Sequence, residues 1–204
     1  FPTPYGVALK DVRAGDIMYE DKNGDGVIND DDISWLGNGD VPEINYGFGF
    51  NIDYKALSVG LLFQGTAKAN RFVGGIIKPF NDSGSGAVYS NIDDRWTEEN
   101  PSQDVFYPRL AYGSDALGNK NNFVNSTWWL KDMSFLRLKT LQISYRLPQE
   151  WCRKANLKNA SVYMMGMNLF TLSKWKLWDP ELNTSNGTTY PNTTSYTIGI
   201  NFSF

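Results

Sequence analysis

Residues 195–204 read Ser195-Tyr196-Thr197-Ile198-Gly199-Ile200-Asn201-Phe202-Ser203-Phe204, and this stretch decides the fold class. Tyr196, Ile198, Ile200, Phe202 and Phe204 fall on one parity; Ser195, Thr197, Gly199, Asn201 and Ser203 fall on the other. Successive side chains of a β-strand point to opposite faces, so this is a strand with one apolar face and one small, polar face. The same pattern occupies residues 45–54, where Tyr46, Phe48, Phe50, Ile52 and Tyr54 oppose Asn45, Gly47, Gly49, Asn51 and Asp53. After a short turn near Lys55, Leu57, Val59, Leu61 and Phe63 alternate with Ser58, Gly60 and Gln64, which makes the two segments a hairpin. Between 134 and 146 the parity changes, with Leu136 and Leu138 on one side and Leu141, Ile143 and Tyr145 on the other, and a bulge is expected near Lys139 and Thr140. From 160 to 170, Tyr163, Met165, Met167 and Leu169 alternate with Val162, Met164, Gly166 and Asn168; the second set carries the small and polar residues. The reading is an all-β chain of about five antiparallel strands.

The connections alternate in length. A tight turn follows the first strand, the long segment Ala67 to Met133 the second, the modest segment Leu147 to Asn159 the third, and the loop Thr171 to Thr193 the fourth. Short turns at one end and long loops at the other are the construction of outer-membrane barrels, with the short turns periplasmic. A soluble antiparallel sandwich alternates as well. Two features favour the barrel. The strands run to about ten residues, enough to cross a bilayer at a tilt, against about five or six in soluble sheets. The small, polar parity carries Gly, Asn and Ser where a soluble surface would show Lys and Glu.

Composition sets the outer bounds. The chain has 204 residues, with 19 Lys+Arg against 22 Asp+Glu, so it carries neither the basic footprint of a nucleic-acid binder nor an acidic tail. Twelve Phe, 11 Tyr and 7 Trp supply ample apolar material for an ordered structure. A mean hydropathy of −0.40 and the lack of any long apolar run exclude a transmembrane helix, though not a transmembrane barrel, whose alternating strands average out as polar. One cysteine, Cys152, and no histidine remove internal disulfides, Cys-based zinc clusters, His-dependent catalytic triads and His pH switches. The chain opens on Phe1 without an initiator Met or a signal peptide and reads as a mature or trimmed product.

Acidic residues concentrate between 11 and 43, and inside that stretch their spacing is regular. Asp21, Asn23 and Asp25 take positions 1, 3 and 5 of a twelve-residue frame, Gly26 position 6, Val27 position 7, Ile28 position 8, Asn29 position 9 and Asp32 position 12. This is the order of an EF-hand calcium loop, in which alternate oxygens converge, a glycine allows the sharp turn and the seventh residue lends its carbonyl. Ca²⁺ ligation is therefore expected from the side chains of Asp21, Asn23, Asp25 and Asp32 and the carbonyl of Val27. Asp32 is a departure, standing where a longer Glu normally reaches in, as in dockerin-like loops. No long helix flanks the loop, which argues against a sensor-type EF-hand pair. A first segment, 1–43, is thus expected to hold the calcium loop on the extracellular side, and a second, 44–204, the strands.

These residues resemble a known family. Gly15-Asp16-Ile17 through Asp32, Gly37-Asn38 and Ile44-Asn45-Tyr46-Gly47 resemble the signature of the SusC/RagA family of TonB-dependent outer-membrane transporters near its C-terminal end. Phe63-Gln64-Gly65, Arg95-Trp96-Thr97-Glu98-Glu99-Asn100-Pro101, Pro108-Arg109-Leu110 and Ser134-Phe135-Leu136-Arg137-Leu138-Lys139 continue the resemblance. So do Tyr145-Arg146-Leu147-Pro148, Asn168-Leu169-Phe170, Trp178-Asp179-Pro180-Glu181 and Tyr190-Pro191, in an order that covers almost the whole chain. The resemblance implies a plugged barrel of about 22 strands. It further implies a SusD-like surface lipoprotein as lid and uptake of oligosaccharides or peptides energised through the TonB complex. With the plug, the TonB-contacting box and most strands lacking, the chain is expected to be a C-terminal fragment. Its last strand would then pair with a first barrel strand elsewhere in the protein, carry the assembly signal on Phe204, and meet outer-membrane lipid.

The remaining candidates point to no second chemistry. Trp96, Trp128, Trp129, Trp175 and Trp178 lie in or beside the expected extracellular loops, where loop packing or an interfacial girdle accounts for them and sugar stacking is the alternative. Cys152 falls in an expected periplasmic turn as a packed thiol. The triplet from Asn81 to Ser83 has the glycosylation pattern that an Asn-rich chain produces by chance. No nucleophile has an identifiable base beside it, and the dense acids belong to the calcium frame, so an enzyme is not expected. The competing reading is a soluble calcium-dependent carbohydrate-binding or cell-surface β-domain.

Overall fold

A computed structural model describes residues 2–4, 6–80, 88–112 and 119–204. The chain forms two compact units, one made of Phe1–Gly37 and Phe72–Lys131, the other of Asn38–Arg71 and Asp132–Phe204. The second, the sheet unit, contains β1 (Ile44–Tyr54), β2 (Leu57–Ala67), β5 (Phe135–Arg146), β6 (Asn159–Ser173) and β7 (Ser195–Ser203). They form one antiparallel sheet in the order β1-β2-β5-β6-β7. Two three-residue strands, β3 (Asn70–Phe72) and β4 (Leu130–Asp132), lie where the chain passes from one unit to the other. Among the described residues α-helix is confined to two short pieces, α1 (Asn119–Asn122) and α2 (Gln149–Lys154), and neither can span a membrane.

The register shows why the alternation matters. One cross-strand row runs Ile52, Val59, Ile143, Met164, Ile198, and the adjacent row runs Asn51, Gly60, Gln142, Met165, Thr197. The first row lies on an apolar face that continues through Phe48, Phe50, Leu61, Phe63, Leu141, Val162, Ile200 and Phe202. That face is open: Phe50 is 54 % exposed, Met164 45 % and Ile198 75 %. A contiguous apolar surface five strands wide is untenable in water and is what a lipid-facing barrel wall requires.

One bulge was legible and one face was not. The register slips between Leu62 and Phe63 and between Leu138 and Thr140, at the expected bulge. In β6 the polar parity is reversed from the sequence reading, since Tyr163, Met165 and Met167 share the polar face while Val162, Met164 and Gly166 join the apolar one. The cause is Asn168. It sits in the left-handed region (φ 53°), its side-chain amide donates to the Thr193 carbonyl at 3.0 Å and its own carbonyl accepts from Thr194 Oγ1 at 2.9 Å. Asn168 therefore belongs to a kink and not to a face, and a parity count carried through it assigns the preceding residues to the wrong side.

The turns are built locally. Lys55, with φ 56°, carries the chain from β1 to β2. Helix α2 ends with Asn156 in the left-handed region; its N–H donates to the Arg153 carbonyl and that of Leu157 to the Cys152 carbonyl, a Schellman closure. This seats the Cys152 thiol in the interior, where it is free and buried as expected of a packed cysteine. The other unit is mostly loop around a core of Val73, Ile77, Tyr107 and Trp129, each fully buried.

Candidate functional site

The expected calcium residues share one loop. Asp21 accepts the N–H of Gly24 at 2.7 Å on Oδ1 and that of Gly26 at 2.8 Å on Oδ2. Asn23 Oδ1 accepts from Asp25 N at 2.9 Å, and Asp25 Oδ1 from Val27 N at 2.9 Å. Asp32 closes the frame by accepting the N–H groups of Lys22 at 2.8 Å and Asn29 at 2.9 Å. Those amides, Asn29 first and then Lys22, hold its carboxyl below the usual range. Gly24 and Gly26 have φ of 76° and 84°, conformations that L side chains rarely adopt. Ile28 is buried and donates its N–H to the Thr3 carbonyl at 3.1 Å, so position 8 anchors the loop. Among the described residues no three His, Cys, Asp or Glu side chains gather around one point as metal ligands. The side-chain oxygens of Asp21, Asn23, Asp25 and Asp32 all accept backbone N–H groups of the loop itself.

A buried polar knot in the loop unit was not anticipated. The Asp16 carboxylate, 0 % exposed, is gripped bidentately by Arg109, Nε to Oδ1 at 2.8 Å and Nη2 to Oδ2 at 2.9 Å. Asn122 Nδ2 donates to the same Oδ1 at 2.8 Å and the Arg13 N–H to Oδ2 at 2.8 Å. Asn122 Oδ1 accepts the Ile17 N–H at 2.8 Å, its carbonyl accepts Trp129 Nε1 at 2.7 Å, and Asn121 Nδ2 donates to the Ile17 carbonyl at 2.8 Å. Tyr19 donates its hydroxyl to the Asn121 carbonyl, and its burial raises its pKa. Gly15 is needed beside it: φ is 87°, and a Cβ would fall 2.2 Å from Cε3 of Trp96.

The sheet unit has its own clamp. Arg137 on β5 is 1 % exposed; Nη1 reaches Glu181 Oε2 at 2.6 Å, Nη2 pairs with Asp179, and Nε donates to Thr171 Oγ1 at 3.0 Å. Asn192 Nδ2 donates to both carboxylates, at 3.1 Å and 3.2 Å. Trp175 and Trp178 meet edge to face at 4.5 Å between ring centroids. Trp129 and Trp175 are buried, and Trp128 donates Nε1 to the Phe106 carbonyl at 2.9 Å, so these indoles pack loops. The Asn81 triplet lies outside the described residues.

Asp16, Arg109, Arg137, Asp179 and Glu181 all stand inside motifs quoted above, yet their pairing was invisible. Asp16 and Arg109 are 93 positions apart and Arg137 and Asp179 are 42 apart. A single sequence has no local signal for such contacts.

No family model matches the chain. TonB-dependent receptor P26 of Formosa agariphila is 33 % identical over 202 residues, covering 93 % of this chain and 20 % of that protein. TonB-dependent receptor P3 of the same organism is 28 % identical over 221 residues, covering 100 % of this chain and 20 % of that protein. Among solved structures, the RagAB peptide importer in the closed-closed state matches with TM-score 0.66 and 30 % identity, over 88 % of this chain and 19 % of that one. Its open-open state gives 0.62 and 29 % over the same shares. The chain spans about one-fifth of the length of these relatives. An antiparallel sheet with an open apolar face, resembling the barrel region of RagA, defines a segment of outer-membrane β-barrel. The chain belongs to the SusC/RagA family of TonB-dependent receptors, which are outer-membrane proteins.

Proposed function

We propose that this chain contributes five barrel strands to a transporter that imports oligosaccharides or peptides across the outer membrane, driven through the TonB complex and covered by a SusD-like surface lipoprotein. The observation that carries the reading is the uninterrupted apolar face from Phe50 to Ile198 on a sheet whose other face is lined by Asn51, Gln142 and Thr197. Lipid takes the first and the lumen the second. The chain supplies the wall and loops. The relatives named for TonB-dependent reception and RagAB peptide import support the transport class. Deleting the gene should abolish growth on the imported nutrient, and inactivating TonB should do the same; uptake that persists without TonB would overturn the reading.

In this orientation the segment from Ala67 to Met133 and the loop from Thr171 to Thr193 face the outside, and Leu147 to Asn159 faces the periplasm. Protease added to intact cells should cut the former and spare the latter.

The loop from Asp21 to Asp32 is proposed to hold one Ca²⁺ through Asp21, Asn23, Asp25, Asp32 and the Val27 carbonyl, stiffening an extracellular loop. Support comes from the frame spacing and from the two glycines in the left-handed region. Terbium luminescence should appear on titration and be lost in Asp21→Asn/Asp25→Asn, while a signal unchanged by that pair of substitutions would remove the site.

A further inference from the structure

A cavity of about 260 Å³ in the loop unit is lined by Arg13, Arg95, Trp96, Thr97, Glu98 and Arg109. We propose that it is a carboxylate-binding subsite for one acidic residue or one acidic sugar ring of the imported solute, an assignment that rests on the transport reading above.

Size limits the occupant. Sites for whole small ligands measure about 300–1,000 Å³, so this cavity takes one unit of a longer molecule. The donors in its wall are already positioned. Asp16 engages Arg109 through Nε and Nη2, which leaves Nη1 without a partner among the described residues. Arg95 donates through Nη1 to the Ile92 carbonyl at 3.0 Å and to Asp93 Oδ1 at 3.0 Å, leaving Nε and Nη2 without a partner among the described residues. Both guanidinium groups are thus fixed by contacts that spare part of their fork, and a fork with two unspent N–H groups matches the two oxygens of a carboxylate.

Trp96 supplies the apolar side of the subsite. Its ring is held over Gly15, where no Cβ could fit, so it cannot swing away toward that residue. Its backbone is fixed as well, the Trp96 N–H donating to the Tyr107 carbonyl at 3.0 Å. An indole beside guanidinium donors suits the aliphatic stem of an acidic side chain or the apolar face of a uronic acid.

Charge bookkeeping says how recognition works. Among the described residues, Arg95 and Arg109 are paired with Asp93 and Asp16, and Glu98 lines the same cavity, so opposite charges offset much of the guanidinium charge there. Selectivity must come from directed N–H groups. A lysine, which carries the same charge without the fork, should therefore not replace Arg95.

The test uses the full-length transporter purified in detergent, titrated calorimetrically with four probes: triglutamate, triglutamine, trigalacturonate and trigalactose. An acidic probe should bind and its neutral counterpart should not; the peptide or the sugar that binds identifies the source of the carboxylate. Arg95→Gln should weaken that binding about tenfold or more, Arg95→Lys should not restore it. Ala14→Trp, which fills the cavity from its wall without altering a charge, should weaken it as well. Equal binding of acidic and neutral probes, no binding of either acidic probe, or full affinity in Arg95→Gln and Ala14→Trp would overturn the proposal. TonB-dependent uptake by cells is measured separately, so failure of the transport reading leaves the titration standing and the two outcomes stay distinct.

Discussion

The two units solve the problem of order by opposite means. In the sheet unit, structure follows from a ladder of backbone hydrogen bonds and a parity rule, and the side chains of β1 and β7 can be placed by counting in twos. Among its described residues the loop unit has no ladder of comparable length. It is fixed by one buried carboxylate, Asp16, on which Arg109, Asn122 and the Arg13 amide converge. A sheet exposed to lipid on one side is tolerant because each row contributes a little. A polar knot concentrates its contribution in a few groups whose loss leaves buried charge behind.

Breaking the knot should therefore give the largest effect. Asp16→Ala removes the partner of a largely buried guanidinium, and truncating one side of such a pair costs about 3–5 kcal/mol. The loop unit should become protease-sensitive in the full-length protein, while the barrel keeps its heat-modifiable mobility in gel electrophoresis. Loss of both together would mean that the sheet depends on the knot.

The parity rule can be tested within two residues. Met164→Lys places a charge on the lipid face near mid-strand and should cost about 2–4 kcal/mol, lowering the amount of folded barrel. Met165→Lys points to the polar face and should be tolerated. The reverse ranking would restore the face assignment read from sequence for β6.

Arg137 is the sheet unit's closest counterpart to Asp16, and a smaller cost is expected. Its partners Asp179 and Glu181 are 16 % and 34 % exposed, and both also accept from Asn192, so they can turn to water when the guanidinium is lost. Arg137→Gln should cost about 1–3 kcal/mol and loosen the loop from Lys174 to Thr194, measured as faster amide exchange there and not in β5.

Legibility from sequence follows the same division. Strand identity, length and the bulge beside Lys139 were all readable, because period-two patterning is local. What failed in β6 failed for a local reason too: methionine is indifferent to face, and Asn168 looks like a polar-face residue while its φ of 53° makes it a kink. The regular spacing of side-chain oxygens from Asp21 to Asp32 was readable because those residues are contiguous. The knot and the carboxylate-lined clamp were not, since Asp16 meets Arg109 across 93 positions and nothing near either residue records the other. Motif resemblance marked those residues without saying what they do.

The smallest effect expected is a pH dependence confined to the loop unit. Lys78 donates to the Phe123 carbonyl at 2.7 Å and to Asn125 Oδ1 at 3.2 Å and lies 5.0 Å from the centre of the Trp129 ring; burial brings its pKa down to about 8. In the unfolded chain the same amine titrates near 10.5. Between these values the unfolded state holds a proton that the folded state has released, so stability rises with pH across the window and the gain is lost as pH falls through about 8. Tyr107, pushed up to about 12 by burial, acts in the opposite direction above pH 10, where the unfolded phenol ionises first. The loop unit should therefore resist protease better at pH 9.5 than at pH 7.5 and lose that advantage beyond about pH 10. Partial exposure of the lysine limits the size of the change through solvent screening. Lys78→Met should flatten the rise between pH 7.5 and 9.5 and leave the decline at high pH in place, and an unchanged slope in that variant would assign the rise to another group.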